Sequence, residues 1–132
     1  MEKNLGYESR EEINVFNVLS KYIPEIKHLH MGINVQNTNL EKKYNKQYVL
    51  SDGYIGTDCG NIIFEYDGKF WHNEEFDNMR DDIILSIRKD IIGIIRIGDT
   101  YFKINNIKKI INDIKYAIED IKNKEYKRKL LY

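Results

Sequence analysis

Asp52, Glu65 and Asp67 are the residues of this chain whose type and spacing carry the most chemistry. They lie in the stretch from Ser51 to His72, SDGYIGTDCGNIIFEYDGKFWH, which reads as a β-hairpin. The first arm is expected over Tyr48 to Ile55, and the second is IIFEYDG. Between them lies a turn from Gly56 to Asn61, whose glycines and asparagine tolerate positive φ. Side chains alternate along a strand, so Ile63, Glu65 and Asp67 share one face while Ile62, Phe64 and Tyr66 share the other. Two acids thus project together from an otherwise apolar strand, and Asp52 on the paired arm supplies a third carboxylate. Oxygen clusters of this kind bind hard cations such as Mg²⁺, with waters completing the shell.

The remaining elements must position that hairpin. Ser9 followed by Glu12 forms a capping box, and Ile13, Phe16, Leu19 and Ile23 recur at helical spacing, which predicts a helix over Arg10–Tyr22 closed by Pro24. Glu12 falls on the same stripe as Phe16, Leu19 and Ile23, so its carboxylate either caps the helix or turns toward the site. His28 and His30 sit in an alternating piece that continues through Ile33 and Val35 as a strand. Two histidines at i and i+2 share a strand face, a geometry that binds transition metals, but no third soft ligand lies near them in sequence, and polar edge residues are the simpler reading. Gln36 to Lys46 reads as a polar loop. Its Lys42, Lys43 and Lys46, with Tyr44 and Tyr48, are either solvated or contacts for a nucleic-acid backbone.

Beyond the hairpin, Asn73 is placed to cap a helix running to about Lys89, with Glu74, Glu75 and Asp77 at its positive end. Phe76, Met79, Ile83 and Ile87 form its apolar stripe, and Asp77, Asp81, Ile84 and Arg88 a neighbouring row. The run IIGIIRI from Ile91 to Ile97 is expected to be a strand buried on both faces. Arg96 within it requires a carboxylate or phosphate partner, as a structural ion pair or as a site residue. A short edge strand over Tyr101 to Ile104 then leads to a helix capped by Asn105 or Asn106. Ile107, Ile110, Ile111, Ile114, Ile118 and Ile121 make its buried stripe. Its other face and the tail, from Lys108 to Lys129, are basic and read as solvated, with phosphate contact as the minority reading.

Composition restricts the class. The 132 residues suit a single domain, residues 1–132, with a modest core; ten Tyr, five Phe and one Pro argue against disorder. The single cysteine, Cys59, excludes a disulfide framework or thiolate zinc cluster and makes a reducing, cytoplasmic setting the expectation. No apolar run suggests a membrane segment, and the opening residues MEKNLGYESREE lack the apolar core of a signal peptide. Net charge is zero but uneven: residues 51–90 hold ten acids against four Lys or Arg, whereas residues 91–132 hold five acids against ten. Such a division fits either solvated helix faces or a cation-filled acidic site flanked by phosphate-contacting bases.

The order helix, hairpin, helix, buried strand, helix, with Asp52 before the turn and Glu65 after it, resembles the restriction-endonuclease-like nuclease superfamily, whose signature is PD-(D/E)XK. FEYDGKFWH, then Asp77, Arg80-Asp81 and IIRI, resemble the branch of very-short-patch repair endonucleases and E-x-D-G phage and bacterial endonucleases. The resemblance covers about residues 9 to 104. It implies an α/β fold with a three-layer core, a central mixed β-sheet flanked by helices, and a Mg²⁺-dependent DNA endonuclease or nickase, Mn²⁺ being an alternative ion. By resemblance, Asp52, Glu65 and the carbonyl of Tyr66 hold the ion, with Asp67 a further ligand or support. His72 activates water or steadies the leaving group. Arg80, Arg96, Trp71 and Lys43 are the residues for DNA, with Phe70 beside Trp71 and with Arg80 either clamping the phosphate or pairing with the acids, and Glu12, Asp77 and Asp81 are supporting. The resemblance implies work in DNA repair or restriction, in the cytoplasm of a bacterial or phage-infected cell, with a homodimer or a larger nuclease complex both open.

The chain departs from the signature: the turn between Asp52 and Glu65 is a residue or two longer than usual, and the lysine on the helix after the Arg-Asp pair has no counterpart, Ile84 standing near its place. The motif lysine is absent, its position being Asp67, so that Lys69 or His72 must replace it. No proline precedes Asp52. Asp58 competes with Asp52 as first ligand, and Asp52 is preferred because Asp58 sits among turn residues. A catalytically silent nucleic-acid- or protein-binding module is the alternative.

Overall fold

Strand Gly60–Asp67 is the spine of the molecule, because it lies between an antiparallel and a parallel neighbour and carries a different core on each face. The computed structural model describes residues 10–68 and 73–132. In chain order the elements are α1 (Arg10–Tyr22), β1 (Ile26–Lys27), β2 (Gly32–Asn34), α2 (Asn39–Tyr44), β3 (Tyr48–Leu50), β4 (Gly53–Thr57) and β5 (Gly60–Asp67). They continue as α3 (Glu74–Ile87), β6 (Ile91–Gly98), a 3-10 turn (Ile104–Asn106), α4 (Ile107–Lys122) and β7 (Arg128–Leu131). The main sheet has the order β1-β4-β5-β6-β7, antiparallel from β1 to β5 and parallel from β5 to β7. Strands β2 and β3 pair separately as a small antiparallel sheet. A mixed five-stranded sheet flanked by helices is therefore the architecture. Among the described residues no helix is long and apolar enough to cross a membrane.

The alternation expected along β5 places the two cores. Ile62, Phe64 and Tyr66 join Phe16 and Leu19 of α1 and Ile110, Ile114 and Ile121 of α4. Ile63, on the opposite face, packs with Ile84 of α3, Ile94 of β6 and Ile33 and Leu40 from the small sheet and α2. Glu65 and Asp67 accordingly face α3, and the β5/β6 register sets Glu65 beside Arg96. At Gly53 the backbone comes so close to α1 that a Cβ would lie 2.3 Å from the Lys27 carbonyl oxygen and 2.6 Å from the Phe16 ring.

Several local expectations are corrected. The hairpin turn is tighter than expected: Thr57 pairs with Gly60, leaving Asp58 and Cys59 as the turn, and Gly60 takes φ 140°, open to glycine because it has no Cβ. The first arm is not one strand, since β3 and β4 pair with different partners and break at Ser51 and Asp52. Ile13 is exposed, and the buried face of α1 is Glu12, Val15, Phe16 and Leu19. The polar segment 36–46 contains α2, which buries Leu40 and ends in left-handed Asn45. His28 to Met31 lie between β1 and β2 instead of continuing one strand. No strand forms over Tyr101 to Ile104; Phe102 N donates to the Gly98 carbonyl in a turn, followed by the 3-10 turn. Most consequentially, the basic tail is not all solvated: Arg128–Leu131 adds a parallel edge strand to β6.

Candidate metal centre

The break between β3 and β4 turns Asp52 out of the ladder just where Gly53 begins to pair with Phe64. Asp52 and Glu65 then cross-brace one another. The Asp52 amide donates to Glu65 Oε2 at 2.9 Å, and the Tyr66 amide donates to Asp52 Oδ2 at 2.9 Å. Each carboxylate is thus fixed by the backbone of the other arm, and each has a second oxygen to offer. Glu65 Oε1 lies 3.5 Å from the Arg80 guanidinium, which also donates to the Leu50 carbonyl at 2.8 Å. Arg80 therefore ties α3 to the end of β3 and to β5. Its NH1 is buried and makes no hydrogen bond among the described residues.

The electrostatics are those of acids crowded away from water. Burial pushes Asp52 up to about 7, the charge of Glu12 adds to the shift, and the Tyr66 amide opposes it. Burial likewise pushes Glu65 up to about 7, with Asp52 adding to the shift and Arg80 opposing it. Desolvation disfavours the charged form and a neighbouring like charge disfavours it further, so these acids need a proton or a cation among them. Glu12, placed by the first turn of α1, is 5 % exposed, and its Oε2 lies 2.8 Å from His28 Nε2. His30 Nδ1 contacts the Ser51 carbonyl at 2.7 Å, one residue from Asp52. The acceptor is a carbonyl oxygen, so Nδ1 carries the proton.

Asp52 and Glu65 each present a carboxylate braced by the other arm, and the Glu12 charge bears on Asp52, oxygen donors of the kind hard divalent cations take. Tyr66 contributes the amide that grips Asp52, while its phenol donates to Glu11 at 2.5 Å on the α1 face. Glu11 had no signal in the sequence beyond its place in the first helical turn.

Other expected site residues fall elsewhere. Arg96 is 1 % exposed and bound bidentately by Asp81, Nε to Oδ2 at 2.8 Å and NH2 to Oδ1 at 2.7 Å, with NH1 donating to Asp67 Oδ1 at 3.0 Å. Of its two readings the structural ion pair is the one observed, and phosphate contact by Arg96 is corrected. Of the two roles for Arg80, pairing with the acids is the one observed, its guanidinium being buried against Leu50, Glu65 and Asp81. Asp67, at the position of the motif lysine, points to Arg96 and accepts from the Tyr132 hydroxyl at 2.5 Å, so it braces the sheet instead of joining Asp52. Asp77 lies 3.9 Å from Arg96, and Arg128 Nε donates to Asp81 Oδ2 at 2.5 Å. Arg128 and Tyr132 went unrecognised because RKLLY is too short to signal a strand by periodicity.

Lys43 is exposed and pairs with Glu75, which also accepts from the Tyr44 hydroxyl. Asp58 sits in the hairpin turn, at the far end of β5 from Glu65, and pairs with Lys122 at 3.0 Å, which removes it as a rival to Asp52. Ser9 of the expected capping box and Lys69, Phe70, Trp71 and His72 lie outside the described residues. No family model matches this chain, and neither curated proteins nor solved structures show a match to it.

Proposed function

We propose that the chain is a divalent-metal-dependent DNA endonuclease or nickase of the restriction-endonuclease-like fold, with Asp52 and Glu65 as the centre of its site. The observation that carries this reading is the reciprocal bracing of these two acids across the hairpin, beside a third buried carboxylate, Glu12. The order of α1, the antiparallel strands, α3 and parallel β6 accords with it.

Asp52 and Glu65, with the Tyr66 carbonyl that the resemblance implies, would hold Mg²⁺ or Mn²⁺, and Glu12 would support them through its charge on Asp52. Such an ion polarises the scissile phosphate and lowers the pKa of bound water. The chain's own work is positional. The two amides fix one oxygen of each acid, and Arg80 holds Glu65 and the Leu50 carbonyl in place. His72 is the proton-transfer group the resemblance implies.

The test is cleavage of supercoiled, linear, mismatched and branched DNA with Mg²⁺ or Mn²⁺. Asp52→Ala and Glu65→Ala are each expected to abolish cutting while keeping a cooperative thermal transition. A folded wild type that cuts none of these substrates with either ion overturns the enzyme. One observation favours the silent module as second reading: the residue at the motif lysine, Asp67, is committed to Arg96 and Tyr132. In that case removing the hairpin acids would leave DNA binding unchanged or tighter, because carboxylates repel phosphates.

A further inference from the structure

Glu12, His28 and His30 come from a helix and from the irregular segment after β1, yet one ligand atom from each lies within 4.8 Å of the other two. We propose that these three residues form a second cation site, selective for a late first-row transition ion of the Zn²⁺ or Co²⁺ class, separate from the all-oxygen pair Asp52 and Glu65. Two imidazoles and one carboxylate are the donor mix such ions prefer over Mg²⁺.

The geometry is close to what coordination requires. Ligands about 2.0 to 2.2 Å from a common zinc ion stand roughly 3 to 3.5 Å apart. His28 Nε2 and Glu12 Oε2 are already 2.8 Å apart, so the third ligand needs an approach on the order of 1 Å.

The surroundings are those of held ligands. The His28 ring stacks on Phe16, centroids 4.2 Å apart at 11°, and Phe16 sits one turn after Glu12 on α1. Phe16 is itself fixed edge-on against Phe64 and by the close approach of Gly53. The His30 Nδ1 proton is engaged by the Ser51 carbonyl, which makes Nε2 the ring atom with a lone pair for a metal. Outer partners of this type set the tautomer and orientation of ligating histidines. Ser51 is in turn held by Met31, whose amide donates to Ser51 Oγ at 3.1 Å and whose carbonyl accepts from the Ser51 amide at 3.0 Å. Because Ser51 precedes Asp52, occupancy here is mechanically joined to the neighbouring oxygen site.

The experiment is Co²⁺ and Zn²⁺ titration of the full chain without a histidine tag, read by cobalt visible absorption and by calorimetry, in buffer holding excess Mg²⁺ and no DNA. One equivalent is expected to bind, with cobalt bands of low coordination number. His28→Gln and His30→Gln should each weaken it about tenfold or more, the scale on which lost support of a metal centre is felt. Glu65→Gln should retain it. Thermal melts establish that each variant is folded. Absence of Co²⁺ and Zn²⁺ binding, binding unchanged in folded His30→Gln, or stoichiometric displacement by Mg²⁺ overturns the proposal. The readout involves no cleavage, so it succeeds or fails independently of the nuclease reading.

Discussion

Two polar clusters meet at Arg80, and they solve the burial of charge differently. Under α3, Arg80, Arg96 and Arg128 meet Asp67, Asp77 and Asp81, and nearly every guanidinium fork has a carboxylate opposite it. Asp81 is fully buried between Arg96 and Arg128 at 2.5 to 2.8 Å. At the β3–β4 break, by contrast, Glu65 lies 3.5 Å from Arg80, Asp52 is braced against Glu65 and feels the charge of Glu12, and Glu12 and Ser51 engage two histidines. The first cluster is internally neutralised and joins helix to sheet. The second keeps an excess of acid, and that excess is what a cation would relieve. Charge balance therefore separates the structural cluster from the candidate site better than burial does, because both are buried.

Breaking the neutral cluster should produce the largest effect. Asp81→Ala strands Arg96 and Arg128, and loss of one partner from a buried pair costs about 3–5 kcal/mol. Urea unfolding is expected to show that loss, and a variant within experimental error of wild type would mean the arginines find other partners. The acid-rich cluster should respond in the opposite direction. Asp52 and Glu65 have folded pKa values raised above those of the unfolded chain. Their stabilising contribution is therefore fully present below about pH 4 and is lost as pH rises through about 7, since the folded state binds more protons between those limits.

Without divalent metal, the melting temperature should carry a downward component across that window, on the order of a few kcal/mol in all. Asp52→Asn and Glu65→Gln should each flatten it and stabilise the protein at pH 7.5. A slope unchanged in both variants would remove the acid excess as its origin. Mg²⁺ at a hundredfold excess over its dissociation constant should restore about 2.7 kcal/mol at pH 7.5. That gain should shrink in Asp52→Asn.

Two smaller changes sharpen the same contrast. Gly53→Ala drives a methyl into the Lys27 carbonyl and the Phe16 ring. Overpacking of this kind costs about 1–3 kcal/mol. Because Phe16 supports His28, the variant should also weaken Co²⁺ binding, a coupling that Asp81→Ala should not show. Asn73→Ala removes the cap that accepts from the Phe76 amide at 3.0 Å, for about 1 kcal/mol. Chemical denaturation should register that loss with metal affinity unmoved.

Much of the scaffold was legible because periodicity is local. The α1 and α4 stripes, the Asn73 cap and the doubly buried β6 follow from spacing within a dozen residues. The alternation of Glu65 and Asp67 was equally legible, but their fates were not. Glu65 meets Asp52 while Asp67 is taken by Arg96 and Tyr132, from strands remote in the chain. Strand β7 escaped notice because a four-residue edge strand carries too little pattern. Helix α2 was hidden by its polar composition, with Leu40 as its single buried residue.

By itself, then, the sequence determined the element types, the two faces of β5 and the presence of acids on one of them, since each depends on residue order along a single segment. Only the tertiary structure decided which charges are neutralised. It also brought a carboxylate oxygen of Glu12 on α1 within 4.8 Å of ring nitrogens of His28 and His30. Pairing energies depend on distance in space, and sixteen residues of chain separate Glu12 from His28 while 2.8 Å separates their atoms.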